Sequence, residues 1–233
     1  MNDEVFTFLN NEYLEDFYQS REPVLWKNHL IFAVDGTKAE VPNSDENRAA
    51  FGESGNGQRQ SEVRALVSCF FDVFIQFILD LQIGSIRTSE SELAKKNIAA
   101  AKDIISETPI IIIFDRGYPS IEFVRFLENN KVKYLFRLSS NDYKKEEIEK
   151  RYFKRWEIEK KYHTLKNKMK FESITGKATL YVYQDFWAQI IIFNMIQDVL
   201  HSSNQNVKKE SIEKGHKYPA QINENMAIGL FKE

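Results

Sequence analysis

The sequence predicts an α/β fold in which a mixed five-stranded sheet is flanked by helices. Three observations point there. The first half of the chain holds three strand-like runs in succession, HLIFAVDGTKAEV, EVRALVSCFF and FILDLQIG, rich in β-branched and aromatic residues. The second half alternates apolar runs with helical patterns, as crossover connections between parallel strands require. Between them PIIIIF is an unbroken apolar run bounded by turn residues, the pattern of a strand buried on both faces. At 233 residues, 42% apolar and 13% aromatic, the chain has material for a substantial core, which excludes a disordered or low-complexity protein.

Taken in order, residues 1 to about 25 read as an amphipathic helix, with Val5, Phe6, Leu9, Tyr13, Leu14 and Phe17 at helical spacing and Pro23 ending it. The first strand follows, and Asp35-Gly36 within it reads as the tip of a hairpin. PNSDENRAAFGESGNGQRQS is dense in turn formers and reads as a surface loop. The next two strands complete an antiparallel meander. SESELAKKNIAAAKDII opens on a serine cap and early acids and closes on lysine, so it is a helix. The fourth strand, PIIIIF, delivers Asp115 at its carboxyl end, where open α/β sheets build their sites. Residues 120 to 130 form a helix, KVKYLFRLSS a fifth strand, residues 142 to 170 a long basic helix, and FWAQIIIFNMIQDVL a last buried helix. Three regions result: an N-terminal helical segment at 1–26, a main domain at 27–201, and a polar, poorly specified tail at 202–233.

Charge and cysteine content narrow the setting. The single cysteine, Cys69, lies in an apolar run and reads as a buried thiol in a reducing compartment. The N-terminus carries acids where a secretory signal has cations, and the longest apolar stretches are too short to span a bilayer, so no membrane partner is expected and the reading is cytoplasmic. The formal net charge is −2, yet cations outnumber acids between Lys131 and Lys170. That asymmetry suits a polyanion held at one face, although a solvated helix also produces part of it.

The basic helix carries the sharpest pattern. Tyr152, Arg155, Glu159 and Lys166 fall within about 60° of one another around the helix axis. Ile158, Leu165 and Met169 lie on the opposite flank, suited to docking on a core. Trp156 sits beside the polar stripe; it and Tyr162 either stack on a base or belong to the core. A carboxylate among cations either pairs structurally or completes a metal site with acids from elsewhere. Asp35 and Asp115 are the candidates: if the first and fourth strands are neighbours, they stand side by side. Clustered carboxylates repel unless a cation neutralises them, and hard divalent ions take oxygen ligands. Taken singly, each Asp also reads as a turn residue. His163 reads as a helix-surface residue, and Asp72 and Asp80, also in strands, are the decoys.

These motifs resemble a known family. VDGT at Asp35, DRGYPS at Asp115, and the spacing Tyr152-x2-Arg155-x3-Glu159-x6-Lys166 are similar to the DDE transposases of bacterial insertion sequences, in the group with a Tyr-Arg-Glu-Lys signature. The resemblance extends over most of residues 27 to 200. It implies a ribonuclease H-like catalytic domain, two Mg²⁺ or Mn²⁺ ions, and hydrolysis and strand transfer on DNA at transposon ends. It implies metal ligation by Asp35, Asp115 and Glu159, and DNA phosphate contacts from Tyr152, Arg155 and Lys166, with Trp156 a further candidate on the DNA side. Relatives of this group carry a DNA-binding region ahead of the first Asp and a β-rich insertion before the glutamate helix. Here few residues precede Asp35, and LSSNDYKKEEIEK passes almost directly into the helix, so a truncated and internally shortened transposase is expected. The competing expectation is a non-catalytic remnant that binds DNA or an intact transposase and interferes with it; a homodimer is also compatible. A stand-alone ribonuclease H-like nuclease is a third reading.

Overall fold

The computed structural model describes residues 4–54, 62–105, 108–136, 174–215, 218 and 220–230. The sheet is built from β1 (Leu30–Glu40), β2 (Glu53–Ser54), β3 (Glu62–Asp72), β4 (Ile78–Ser85), β5 (Ile110–Phe114) and β6 (Lys133–Phe136). The helices are α1 (Glu4–Ser20), α2 (Asp45–Phe51), α3 (Glu90–Ile105), α4 (Ile121–Asn129), α5 (Thr179–Glu213) and α6 (Glu224–Leu230).

The main sheet runs β4-β3-β1-β5-β6, with the two-residue β2 joined to β3. β3 pairs antiparallel with β1 on one side and with β4 on the other, the meander expected from three consecutive strands. β5 and β6 add on in parallel, after the crossovers through α3 and α4. This is the mixed five-stranded sheet flanked by helices that the strand pattern implied, extended by the short β2.

Alternation along the strands divides the core into two layers. Leu30, Phe32 and Val34 of β1 join Phe70, Ile112 and Phe114 on one face, where α1, α3 and α4 contribute Leu14, Phe17, Ile98, Phe123 and Leu127. Ile31 and Ala33 join Val67, Cys69, Phe71 and Ile113 on the other, covered by Val182, Phe186, Trp187, Ile190 and Phe193 of α5. Each fully buried Phe or Leu adds roughly 2 kcal/mol of transfer free energy. β5 contributes to both layers, which is why its sequence is apolar without alternation.

Buried amides fasten the helices to the edge strand. The Asn194 side chain accepts from Ile78 N at 2.8 Å and donates to Ile78 O at 2.8 Å and to Asn10 Oδ1 at 2.9 Å. Asn10 in turn donates to Leu79 O at 3.1 Å. Asn194 therefore acts as one more strand residue at the open edge of β4 and ties α1 and α5 to it. Farther along the same pair, Tyr13 donates to Asp198 at 2.6 Å, and Arg21 pairs with the same carboxylate.

Three readings of the sequence are corrected. Asp35-Gly36 is not a hairpin tip: β1 runs on through it, with Asp35 opposite Cys69 and Gly36 opposite Ser68. The supposed surface loop contains α2, because Ser44 caps it by accepting from Asn47 N at 3.1 Å and Phe51 is buried. The tail is helical where an unspecified segment was expected. α5 runs without a break through residue 202 to Glu213, and Gly215 follows it at φ 68°. α6 then returns Ile228 onto Ile196 and Leu200.

Candidate active site at the carboxyl end of the central strands

The site begins with the register between β1 and β5. Leu30, Ile31, Phe32 and Ala33 stand opposite Ile110, Ile111, Ile112 and Ile113. Two residues beyond the last pair on each strand stand Asp35, still within β1 and opposite Cys69 of β3, and Asp115, which follows the last residue of β5. Side-chain alternation along β1 puts Asp35 on the face of Ile31 and Ala33, the one that α5 covers. Both aspartates are half-buried. The Asp35 carboxylate also accepts from Gly36 N at 3.0 Å.

The loop after β5 is short and closed by hydrogen bonds. Tyr118 N donates to Asp115 O at 3.2 Å, closing the turn, and Ser120 caps α4 by accepting from Phe123 N at 3.1 Å. The turn packs the Tyr118 ring against both Phe114 and Phe123, with centroids 5.4 and 5.9 Å away. Tyr118 is only 2% exposed. Burial is the main cause that pushes its phenol well above the ordinary value; the charges of Asp35, Glu90 and Asp115, with Cys69, push it the same way.

A further acid enters from the helix side. Glu90 opens α3, and its side chain lies over Gly36: a Cβ at residue 36 would come within 2.9 Å of Glu90 Cγ and Cδ. The glycine that looked like a turn residue is thus the place where a carboxylate chain crosses the strand. Sequence reasoning missed both Glu90 and Tyr118. The only signal for Glu90 was an acid in the first turn of a helix, and Tyr118 stood unremarked inside DRGYPS.

The two decoys are structural. Asp72 accepts from Phe74 N at 2.8 Å, Ile75 N at 2.9 Å and Tyr18 Oη at 2.8 Å, and so shapes the turn between β3 and β4. Asp80 accepts from Asn97 Nδ2 at 2.9 Å and Gln82 Nε2 at 2.8 Å, inside a network that includes Ser68. Burial raises each carboxyl from 3.8 to about 6, against the opposing effect of these hydrogen bonds.

Tyr152, Arg155, Trp156, Glu159 and Lys166 lie outside the described residues, as do Tyr162, His163 and the basic helix as a whole. Among the described residues no group of three or more His, Cys, Asp or Glu is arranged to hold a metal ion. The donor chemistry of Asp35 and Asp115 nevertheless fits a hard divalent cation: both are carboxylates, one within β1 and the other directly after the neighbouring β5. No helix among the described residues is long and apolar enough to cross a membrane.

A family model described as the transposase DDE domain matches residues 26–195. Among solved structures, the chain is similar to the simian T-cell lymphotropic virus intasome in complex with a PP2A regulatory subunit. There the TM-score is 0.44 and the identity 15%, over 72% of this chain and 50% of that one. It is similar to the catalytic domain of Mos1 mariner transposase, with a TM-score of 0.34 and 10% identity over 84% of this chain and 90% of that one. For the Mos1 transposase paired-end complex with left transposon end, the values are 0.33 and 11%, over 83% of this chain and 59% of that one. The chain thus spans about half the length of the first of these structures. No curated protein matches the sequence.

Proposed function

The chain belongs to the DDE transposase family, whose model spans residues 26–195, and from that premise we propose that it cleaves and joins DNA strands at transposon ends. The observation that supports the proposal is the parallel pairing of β1 with β5, neighbouring central strands whose last paired residues, Ala33 and Ile113, each stand two positions before an aspartate, Asp35 and Asp115.

In this reading Asp35 and Asp115, with Glu159 from the basic helix, hold two Mg²⁺ or Mn²⁺ ions. When bound, such a pair activates the attacking oxygen and stabilises the leaving one during in-line displacement at phosphorus. The protein's own part is to hold the acids in place on strands packed on both faces and to bring the phosphodiester to them. Tyr152, Arg155 and Lys166 contact phosphates near the cleaved end, Arg through its fork and Lys as a point charge, and Trp156 lies beside them on the DNA side. The Tyr-Arg-Glu-Lys spacing is what assigns the chain to that group of insertion-sequence transposases. The short passage from Asp115 to Glu159 makes it an internally shortened member.

Residues 27–201 are read as the catalytic unit, close to the span of the family match, with α1 packed into its core and α5 continuing past its end. DNA is the partner, the cytoplasm the setting, and the acting species a homodimer or an association with an intact transposase. Phosphate contacts position a strand without reading its sequence, so DNA binding is salt-sensitive and sequence-indifferent.

The test is nicking of supercoiled DNA by the full chain in Mn²⁺, compared with Asp35→Asn and Asp115→Asn, alongside DNA binding by the Arg155→Ala and Lys166→Ala variants. Slow nicking that both Asn variants abolish is the expected result, with weaker DNA binding in the two Ala variants. Nicking that survives in Asp115→Asn refutes the assignment. Efficient excision of a marked element by this chain alone refutes the shortened reading.

A further inference from the structure

We propose that the loop after β5 and the outer face of α4 hold one strand of DNA, with Arg116 and Arg125 on its phosphates and Ile121 against the sugar between them. The inference rests on the reading that DNA is cleaved beside Asp115, and it adds a surface to the contacts assigned there to the basic helix.

The first observation is charge left unpaired. Arg116 and Arg125 are exposed, and among the described residues neither guanidinium has an ion pair or a hydrogen bond. An arginine that served to neutralise acids would pair with one, and Arg116 stands next to Asp115 in the chain. The acids of α4 are already engaged: Glu122 pairs with Lys95, and Glu128 accepts from Tyr134 Oη at 3.4 Å. Two cations are thus left outward without an anion. Ile121, four residues ahead of Arg125, is 76% exposed, more than any other large apolar side chain among the described residues.

The second observation is placement. Phe123 and Leu127 turn one face of α4 to the core. Ile121 and Arg125 are each two residues from these, so they lie on the opposite face, one turn apart. The loop is held at both ends. Tyr118 is buried and its N–H closes the turn on Asp115 O at 3.2 Å, while Ser120 caps α4, so Arg116 and Gly117 stand out between fixed points. A Cβ at Gly117 would meet nothing within 4 Å, so the space in front of the loop is open. From the end of β5 outward the chain therefore presents a cation, an apolar side chain and a cation. A nucleic-acid strand offers the matching series of phosphate, sugar and phosphate, and the arginine fork suits phosphate oxygens.

The test is binding of a fluorescein-labelled DNA duplex to the full chain by anisotropy, without divalent metal, over about 50 to about 200 mM salt. Each phosphate contact releases counterions, so Arg116→Ala and Arg125→Ala should each reduce the slope of log affinity against log salt by about 1. Ile121→Ala should weaken binding about fivefold at every salt concentration and leave the slope unchanged, since an apolar contact releases no ions. Melting temperatures should stay at the parent value, because neither guanidinium has a partner to lose. Lys209→Ala, which removes an exposed cation far along α5, should leave the slope unchanged. Parent slopes in both arginine variants, or an equal drop in Lys209→Ala, overturn the inference; a drop in Arg155→Ala then leaves the proposed function standing. A parent with no salt-dependent DNA binding overturns both.

Discussion

Replacing Asp80 by Asn should stabilise the protein above pH 6 and leave its stability nearly unchanged at pH 4. Asp80 is 3% exposed, and folding raises its carboxyl from 3.8 to about 6, chiefly through burial. A group raised on folding holds its proton more tightly in the native state, so its favourable contribution is complete below pH 4. That contribution is lost as pH rises from about 4 to about 6 and stays lost above. Raising the carboxyl that far corresponds to roughly 3 kcal/mol. Asn cannot ionise, and its amide oxygen can accept the two bonds that Asn97 and Gln82 now give to one carboxylate oxygen. The assay is urea unfolding of parent and variant at pH 4, 5, 6 and 7, taking the difference in unfolding free energy at each pH. Other carboxyls titrate alike in both proteins and cancel. The difference should grow by about 3 kcal/mol in favour of Asn between pH 4 and pH 7. A difference that does not change with pH would refute the argument that burial dominates at this carboxyl.

Two further predictions concern packing. Asn194→Ala strands Ile78 N, Ile78 O and Asn10 Oδ1 in the interior, and should lower stability by about 3–5 kcal/mol in urea unfolding; a loss within experimental error would show that α1 and α5 do not depend on this amide. Gly176→Ala puts a Cβ 2.4 Å from Tyr181 Cβ and 2.9 Å from its carbonyl carbon. Backbone has to move there, so a loss of about 2 kcal/mol or more is expected, with Gly117→Ala, which meets nothing within 4 Å, as the near-neutral comparison by thermal melting.

How far the sequence disclosed this structure depends on where the signal was local. β5 was legible because four isoleucines and a phenylalanine bounded by turn residues fit little else. The meander was legible from three strand-like runs in a row. Asp-Gly misled because it is the strongest short hairpin signal, yet the pairing of β1 with β3 continues across it from Phe32 to Glu40. What the glycine accommodates is Glu90, remote in sequence. α2 was hidden among turn formers, although its Ser44 cap and first-turn acids were present, because what secures it is tertiary: buried Phe51, and Asn47 donating to Gly176 O. The end of α5 was hidden for the opposite reason. Its residues past 202 are polar and carry no apolar period, and nothing breaks the helix before Gly215. At the site, the two aspartates were legible as motif residues. Tyr118 was not, since its packing against Phe114 and Phe123 is tertiary and leaves no spacing to read.

The central claim is that Asp35 and Asp115 share a divalent cation, and thermal melting of the full chain with increasing Mn²⁺ tests it most directly, in the parent, Asp35→Asn and Asp115→Asn. A cation that binds only the folded chain raises its melting temperature with concentration. The account predicts such a rise in the parent and its loss in both variants, each of which should melt at or above the metal-free parent once the repulsion between the two carboxylates is relieved. An equal rise in all three proteins, or none in the parent at millimolar Mn²⁺, would contradict it.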